Sequence, residues 1–104
     1  MSTYKPEFQD DTVGDVKDKT TEPPMYKVLL HNDDFTTKIF VVEVLMGIFK
    51  KTIAEATNLL WHVHKNGTGL IDIFTYQVAE TKIKQTAELA REHGFPLKIT
   101  MEPE

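Results

Sequence analysis

Pro23-Pro24 splits the chain into two stretches of different character, and only the second spaces its apolar residues regularly. Before the prolines, Met1 to Glu22 sets three lysines against six acids, and its few apolar residues (Tyr4, Phe8, Val13, Val16) follow no period. Such a stretch buries too little surface to offset its ordering entropy. Residues 1–24 are therefore expected to form a disordered N-terminal arm, and residues 25–104 one folded domain.

Past the prolines, Tyr26, Val28 and Leu30 alternate with Lys27, Leu29 and His31, the period of a strand with one face in a core. His31-Asn32-Asp33-Asp34 breaks the strand, and Thr36 or Thr37 can cap the helix that follows. In that helix Phe40, Val41, Val44, Leu45, Ile48 and Phe49 recur at steps of three and four. Thr52-Ile53-Ala54-Glu55 has the spacing of a capping box and opens a second helix, with Ile53, Ala56, Leu59, Leu60 and Val63 expected on its inward stripe. Lys65 to Gly69 ends it, and Leu70 to Phe74 reads as a short strand. Thr75 is expected to cap a third helix that turns Ala79, Ile83, Ala87 and Ala90 inward until Gly94 stops it. Leu97, Ile99 and Met101 then alternate as a closing strand. The order β-α-α-β-α-β predicts an α+β fold, a two-layer sandwich whose three-stranded, mainly antiparallel sheet packs on three helices.

Composition narrows the chemistry. A net charge of −4 argues against a nucleic-acid or anionic-membrane partner. With no cysteine, thiolate nucleophiles, disulfides and iron–sulfur ligation are excluded. The greasiest segment, Ile39 to Phe49, is interrupted by Glu43 and Gly47 and falls far short of the ~20 residues a spanning helix needs. Met1 to Thr20 holds no apolar stretch of the secretory kind, so a cytoplasmic location is expected.

Three constellations could carry function. His31-Asn32-Asp33-Asp34 is by default a solvated turn, since Asn and Asp side chains bond nearby amides. Its functional reading is an acceptor-rich cleft suited to an ammonium or a metal. In Trp61-His62-Val63-His64 the two histidines point to opposite sides of a helix and cannot share a metal. The ordinary reading of His64 is a satisfied histidine at the edge of the core. Lastly, Asp33 or Asp34 could pair with Glu55 or Glu80 in a two-carboxylate hydrolase, though no spacing selects such a pair. Asn66-Gly67-Thr68-Gly69 lacks the lysine of a phosphate loop, and Glu80 and Lys82 read as an exposed charged face.

Taken together, Met25-Tyr26-Lys27-Val28-Leu29-Leu30-His31-Asn32-Asp33-Asp34-Phe35-Thr36, Ala56-Thr57, Val63-His64 and Val78-Ala79-Glu80-Thr81-Lys82 closely resemble the ClpS family, adaptors of the bacterial ATP-dependent Clp protease. The resemblance runs from about Pro24 to Glu102. It implies no catalytic residue, metal or cofactor. It implies instead an N-degron reader that binds proteins beginning with Leu, Phe, Tyr or Trp and hands them to an AAA+ unfoldase, usually ClpA.

Carried over by position, Asn32 and His64 contact the substrate α-amino group and Asp33 helps hold the first peptide unit, with Asp34 and Thr36 in the same loop. Leu60, Val63 and Leu97 line the side-chain pocket, Lys38 stands near its mouth, and Glu80 and Lys82 match the unfoldase-docking surface. Lys38 replaces a common methionine, and Gln77 stands where an acid is frequent. A lysine stem can pack as an apolar rod, but its charge would repel a nearby ammonium. Two other readings stay open at this point. One is an interaction domain of the same fold, like the C-terminal domain of the ribosomal stalk protein, that ignores substrate N-termini. The other is a small hydrolase or metal enzyme built on Asp33, Asp34 and His64.

Overall fold

A computed structural model describes residues 23–104, so the arm expected over residues 1–24 lies outside the described residues except for its two final prolines. Alternation makes Met25–His31 a strand, β1, with Val28 and Leu30 fully buried. It is the middle strand of a sheet ordered β2-β1-β3, where β2 is Thr68–Thr75 and β3 is Lys98–Pro103. Both pairings are antiparallel. The helices are α1 (Lys38–Gly47), α2 (Ile53–Asn66) and α3 (Tyr76–Glu92), so the observed order is the expected β-α-α-β-α-β. Val28 and Leu30 of the sheet and Val44 and Leu45 of α1 lie at the centre of one continuous core.

The sheet carries one bulge. Val28 faces Asp72 and Leu29 faces Leu70, which leaves Ile71 as the extra residue. Ile71 turns into the core, while Asp72 stays exposed and its Oδ2 accepts from Lys51 Nζ at 3.1 Å. The caps hold the helices at the expected places. Thr37, rather than Thr36, caps α1 by accepting from the Phe40 amide at 3.2 Å. Thr52 and Glu55 form both bonds of the capping box on α2, at 2.9 and 3.1 Å.

Several details depart from the periodic reading. Helical spacing selects a face but not how far along the axis the packed surface reaches, and Ile53, the first residue of α2, is 65% exposed. On α3, the expected Ala87 is exposed and Thr86 is buried in its place. At 100° per residue, position 86 lies about 20° from the line of Ala79, whereas position 87 has drifted by about 80°. The Thr86 hydroxyl is satisfied by donating to the Lys82 carbonyl at 2.9 Å. Thr75 stands at the N-cap of α3, but its hydroxyl makes no capping bond.

The second strand also begins earlier than expected, because Thr68 and Gly69 pair with His31 and Leu30. Gly69 is required by close approach. A Cβ there would lie 2.7 Å from Val63 Cγ2, so the bare backbone lets α2 press onto β2. Finally, α1 ends at Gly47; beyond it Ile48 packs half-buried against the core and Phe49 is buried within it. Lys50 turns the chain with φ 61.

Candidate functional site

Where β1 ends, the Asn32 amide donates to the Gly67 carbonyl at 2.9 Å. Gly67 is the C-cap of α2, with φ 91, a conformation that favours glycine. That bond fastens the loop after β1 to the end of the helix that carries His64. The Asn32 side chain is exposed and makes no hydrogen bond among the described residues, so its amide can meet a ligand.

Asp33 organises the loop. Its Oδ1 accepts from the amides of Phe35 at 2.8 Å and Thr36 at 2.7 Å, and its Oδ2 accepts from the Thr36 hydroxyl at 2.8 Å. Partial burial pushes this carboxyl up, but the three bonds outweigh burial and hold it below the ordinary carboxylate value. Asp33 is thus ionised at neutral pH and largely committed to the turn, although Oδ2 retains a lone pair for a ligand. The segment is therefore a turn, as its residue types suggest, and the same turn borders a cavity.

The loop, the start of α1, the end of α2 and the residue before β3 surround one cavity of about 150 Å³. Its polar rim includes Asn32, Asp33, Asp34, Thr36 and His64. Leu60, Val63 and Leu97 supply apolar wall, and Lys38 also lines it. All the residues that the sequence reading assigned to α-amino, loop and pocket roles thus meet at this one place. Leu30, His31 and Val41 line it too and were not assigned. Val41 was findable, since it lies three residues beyond Lys38 on the same helix face. His31 is tied away, its Nε2 2.8 Å from the Thr100 hydroxyl.

The ordinary reading of His64, a satisfied core-edge histidine, fails. Its ring is exposed and makes no hydrogen bond among the described residues; it stands edge-on to Trp61 with centroids 5.6 Å apart. His64 and Asn32 line the same cavity, and each side chain carries both an acceptor and a donor that no described residue occupies. Lys38 Nζ lies 5.7 Å from the centroid of the same Trp61 ring.

Glu80 and Lys82 lie on α3 and do not line the cavity. Lys82 is half-buried, donates to the Ile48 carbonyl at 2.7 Å and sits over the rings of Phe49 and Phe74. Glu80 is exposed. Glu55, offered above as a hydrolase partner, is spent on its capping box. Among the described residues no three His, Asp or Glu side chains are grouped to hold a metal, and no helix is long and apolar enough to cross a membrane.

The family model described as "ATP-dependent Clp protease adaptor protein ClpS" matches residues 21–100. The chain belongs to the ClpS family. ClpS of Desulforapulum autotrophicum is 46% identical over 104 residues, covering all of both chains. The Myxococcus xanthus ClpS is 50% identical over 88 residues, 85% of this chain and 82% of that one. Among solved structures, Agrobacterium tumefaciens ClpS2 bound to L-phenylalaninamide superposes with a TM-score of 0.77 at 37% identity, covering 80% of this chain and all of that one. As a ClpS protein the chain is an adaptor of the Clp protease, not a protease or other enzyme.

Proposed function

We propose that the cavity reads a free N-terminal Leu, Phe, Tyr or Trp on a protein substrate, and that the domain delivers that substrate to an AAA+ Clp unfoldase, ClpA, in the cytoplasm. The observation that carries this reading is one cavity that joins an apolar wall to Asn32 and His64, whose side chains no described residue hydrogen-bonds. A hollow of ~150 Å³ can hold a benzene ring. An α-ammonium brings three donors, which the Asn32 carbonyl, a neutral His64 nitrogen and a carboxylate of Asp33 or Asp34 can accept. The ligand of the Agrobacterium tumefaciens protein, an amino-acid amide with a phenyl side chain and a free amine, has these two parts.

Magnitudes require both halves of the site. Burying one Leu or Phe side chain contributes about 1.5–3 kcal/mol, whereas micromolar affinity corresponds to about 8 kcal/mol. The ammonium and backbone contacts carry the difference, so neither half suffices alone. Glu80 and Lys82 are assigned to unfoldase docking, with Lys82 held in place by the Ile48 carbonyl. Residues 1–24 are assigned to delivery rather than to recognition.

Calorimetric titration with a short peptide beginning with Phe or Leu, and with its N-acetylated twin, tests the reading. The free amine binds and the acetylated peptide does not. Asn32→Ala and His64→Ala each weaken binding about tenfold or more, as expected for a lost hydrogen bond to a charged group. Equal binding of both peptides would overturn the reading and favour an interaction domain that ignores N-termini.

A further inference from the structure

Lys38 lines a cavity whose rim also holds the carboxylates of Asp33 and Asp34, yet it pairs with neither. Its ammonium lies instead against the ring of Trp61, 5.7 Å from the centroid and within cation–π range. Lys38 begins α1 and Trp61 belongs to α2, so the lysine stem runs between the two helices whose residues wall the cavity. Trp61 does not itself line the cavity, and half of it is exposed. The same ring stands edge-on to His64, at 87°.

We infer that Trp61 is a positioning residue for recognition: it seats the Lys38 ammonium outside the cavity, so that a cation at the mouth neither repels the incoming α-ammonium nor neutralises the rim carboxylates. The inference rests on the N-terminus-reading function proposed above. A lysine at the mouth of an ammonium site is a liability by Coulomb's law, and the loop carboxylates would be its natural partners. Indole is the best of the aromatic faces for a cation, and it lies on the adjacent helix. With the head withdrawn, the methylenes of Lys38 remain as apolar surface at the mouth, and Asp33 and Asp34 stay available to the ligand.

A double-mutant cycle on affinity for a Phe-initiated peptide tests this, because Trp61→Ala also frees His64 and the total loss mixes two effects. The loss caused by Trp61→Ala is expected to be about two- to fivefold larger with Lys38 present than in a Lys38→Met background, the factor of one exposed cation–π contact. Added salt recovers the Lys38-dependent part by screening, and Trp61→Phe retains most of the affinity. Equal losses in the two backgrounds, or a Lys38-dependent loss that salt does not move, would overturn the inference.

The seat can be checked without any peptide. The ε-methylene proton resonances of Lys38 should be shifted upfield by the indole ring and return to ordinary values in Trp61→Ala. Unshifted resonances in the unmutated protein would overturn the seat even if peptides bind. A protein that shows the shift but binds no free-amine peptide would instead overturn the function on which the inference rests, and the inference with it.

Discussion

Asp33 shows how one side chain can be a turn former and part of a cavity rim together. Its carboxylate lies below the ordinary value because the bonds from Thr36 and Phe35 exceed the opposing effect of burial. A carboxyl depressed by folding contributes stability above its unfolded value of about 4, and that contribution is lost as pH falls through the lower folded value. The loop, and peptide affinity with it, should therefore loosen in acid below about pH 4, seen as movement of the Phe35 and Thr36 amide resonances. Asp33→Asn retains a carbonyl for both amides and removes this acid step. Asp33→Ala leaves two amides without their acceptor and weakens both turn and binding by about 1–3 kcal/mol. That an Asp here bonds its own backbone was legible from residue type. That the His64 ring would be left unbonded was not, because helical spacing places a Cβ and says nothing of which partners its ring meets.

At the scale of elements, Gly69 is the tightest constraint. The glycine accepts the side chain of Val63, which is also cavity wall, so strand packing and pocket shape are one feature. Gly69→Ala forces Val63 to shift, with an expected loss of about 1–3 kcal/mol in thermal or urea unfolding together with weaker binding of Phe-initiated peptides. Val63→Ala, destabilising alone, should cost less in the Gly69→Ala background, and that non-additivity is the check. The identity and order of all six elements were readable from apolar period and capping residues. The start of β2 was hidden because Thr68-Gly69 resembles a helix-to-strand loop, and glycine carries no side chain to show alternation. Thr86 was hidden for the opposite reason, a polar residue taking an inward position by satisfying its hydroxyl on its own helix.

For the molecule as a whole, stability and recognition separate at Leu45. It is fully buried and does not line the cavity. Leu45→Ala should cost about 2–5 kcal/mol in denaturant unfolding while leaving peptide affinity unchanged well below the midpoint, whereas a loss of affinity without unfolding would link the core to the site. The candidate site was only partly legible at this scale. Family resemblance pointed to Asn32 and His64, but the convergence of four chain segments on one hollow depends on the Asn32–Gly67 bond and the bare backbone at Gly69, which no pattern of types displays. The middle place of β1 has its own consequence for how the chain is made. Of the three described strands a ribosome releases this one first, β2 then gives it one neighbour, and its other edge waits until residues through Pro103 emerge. Until then the nascent domain exposes an unpaired edge able to pair with another chain, so synthesis stalled before Lys98 should yield product that is open to proteolysis and prone to aggregate.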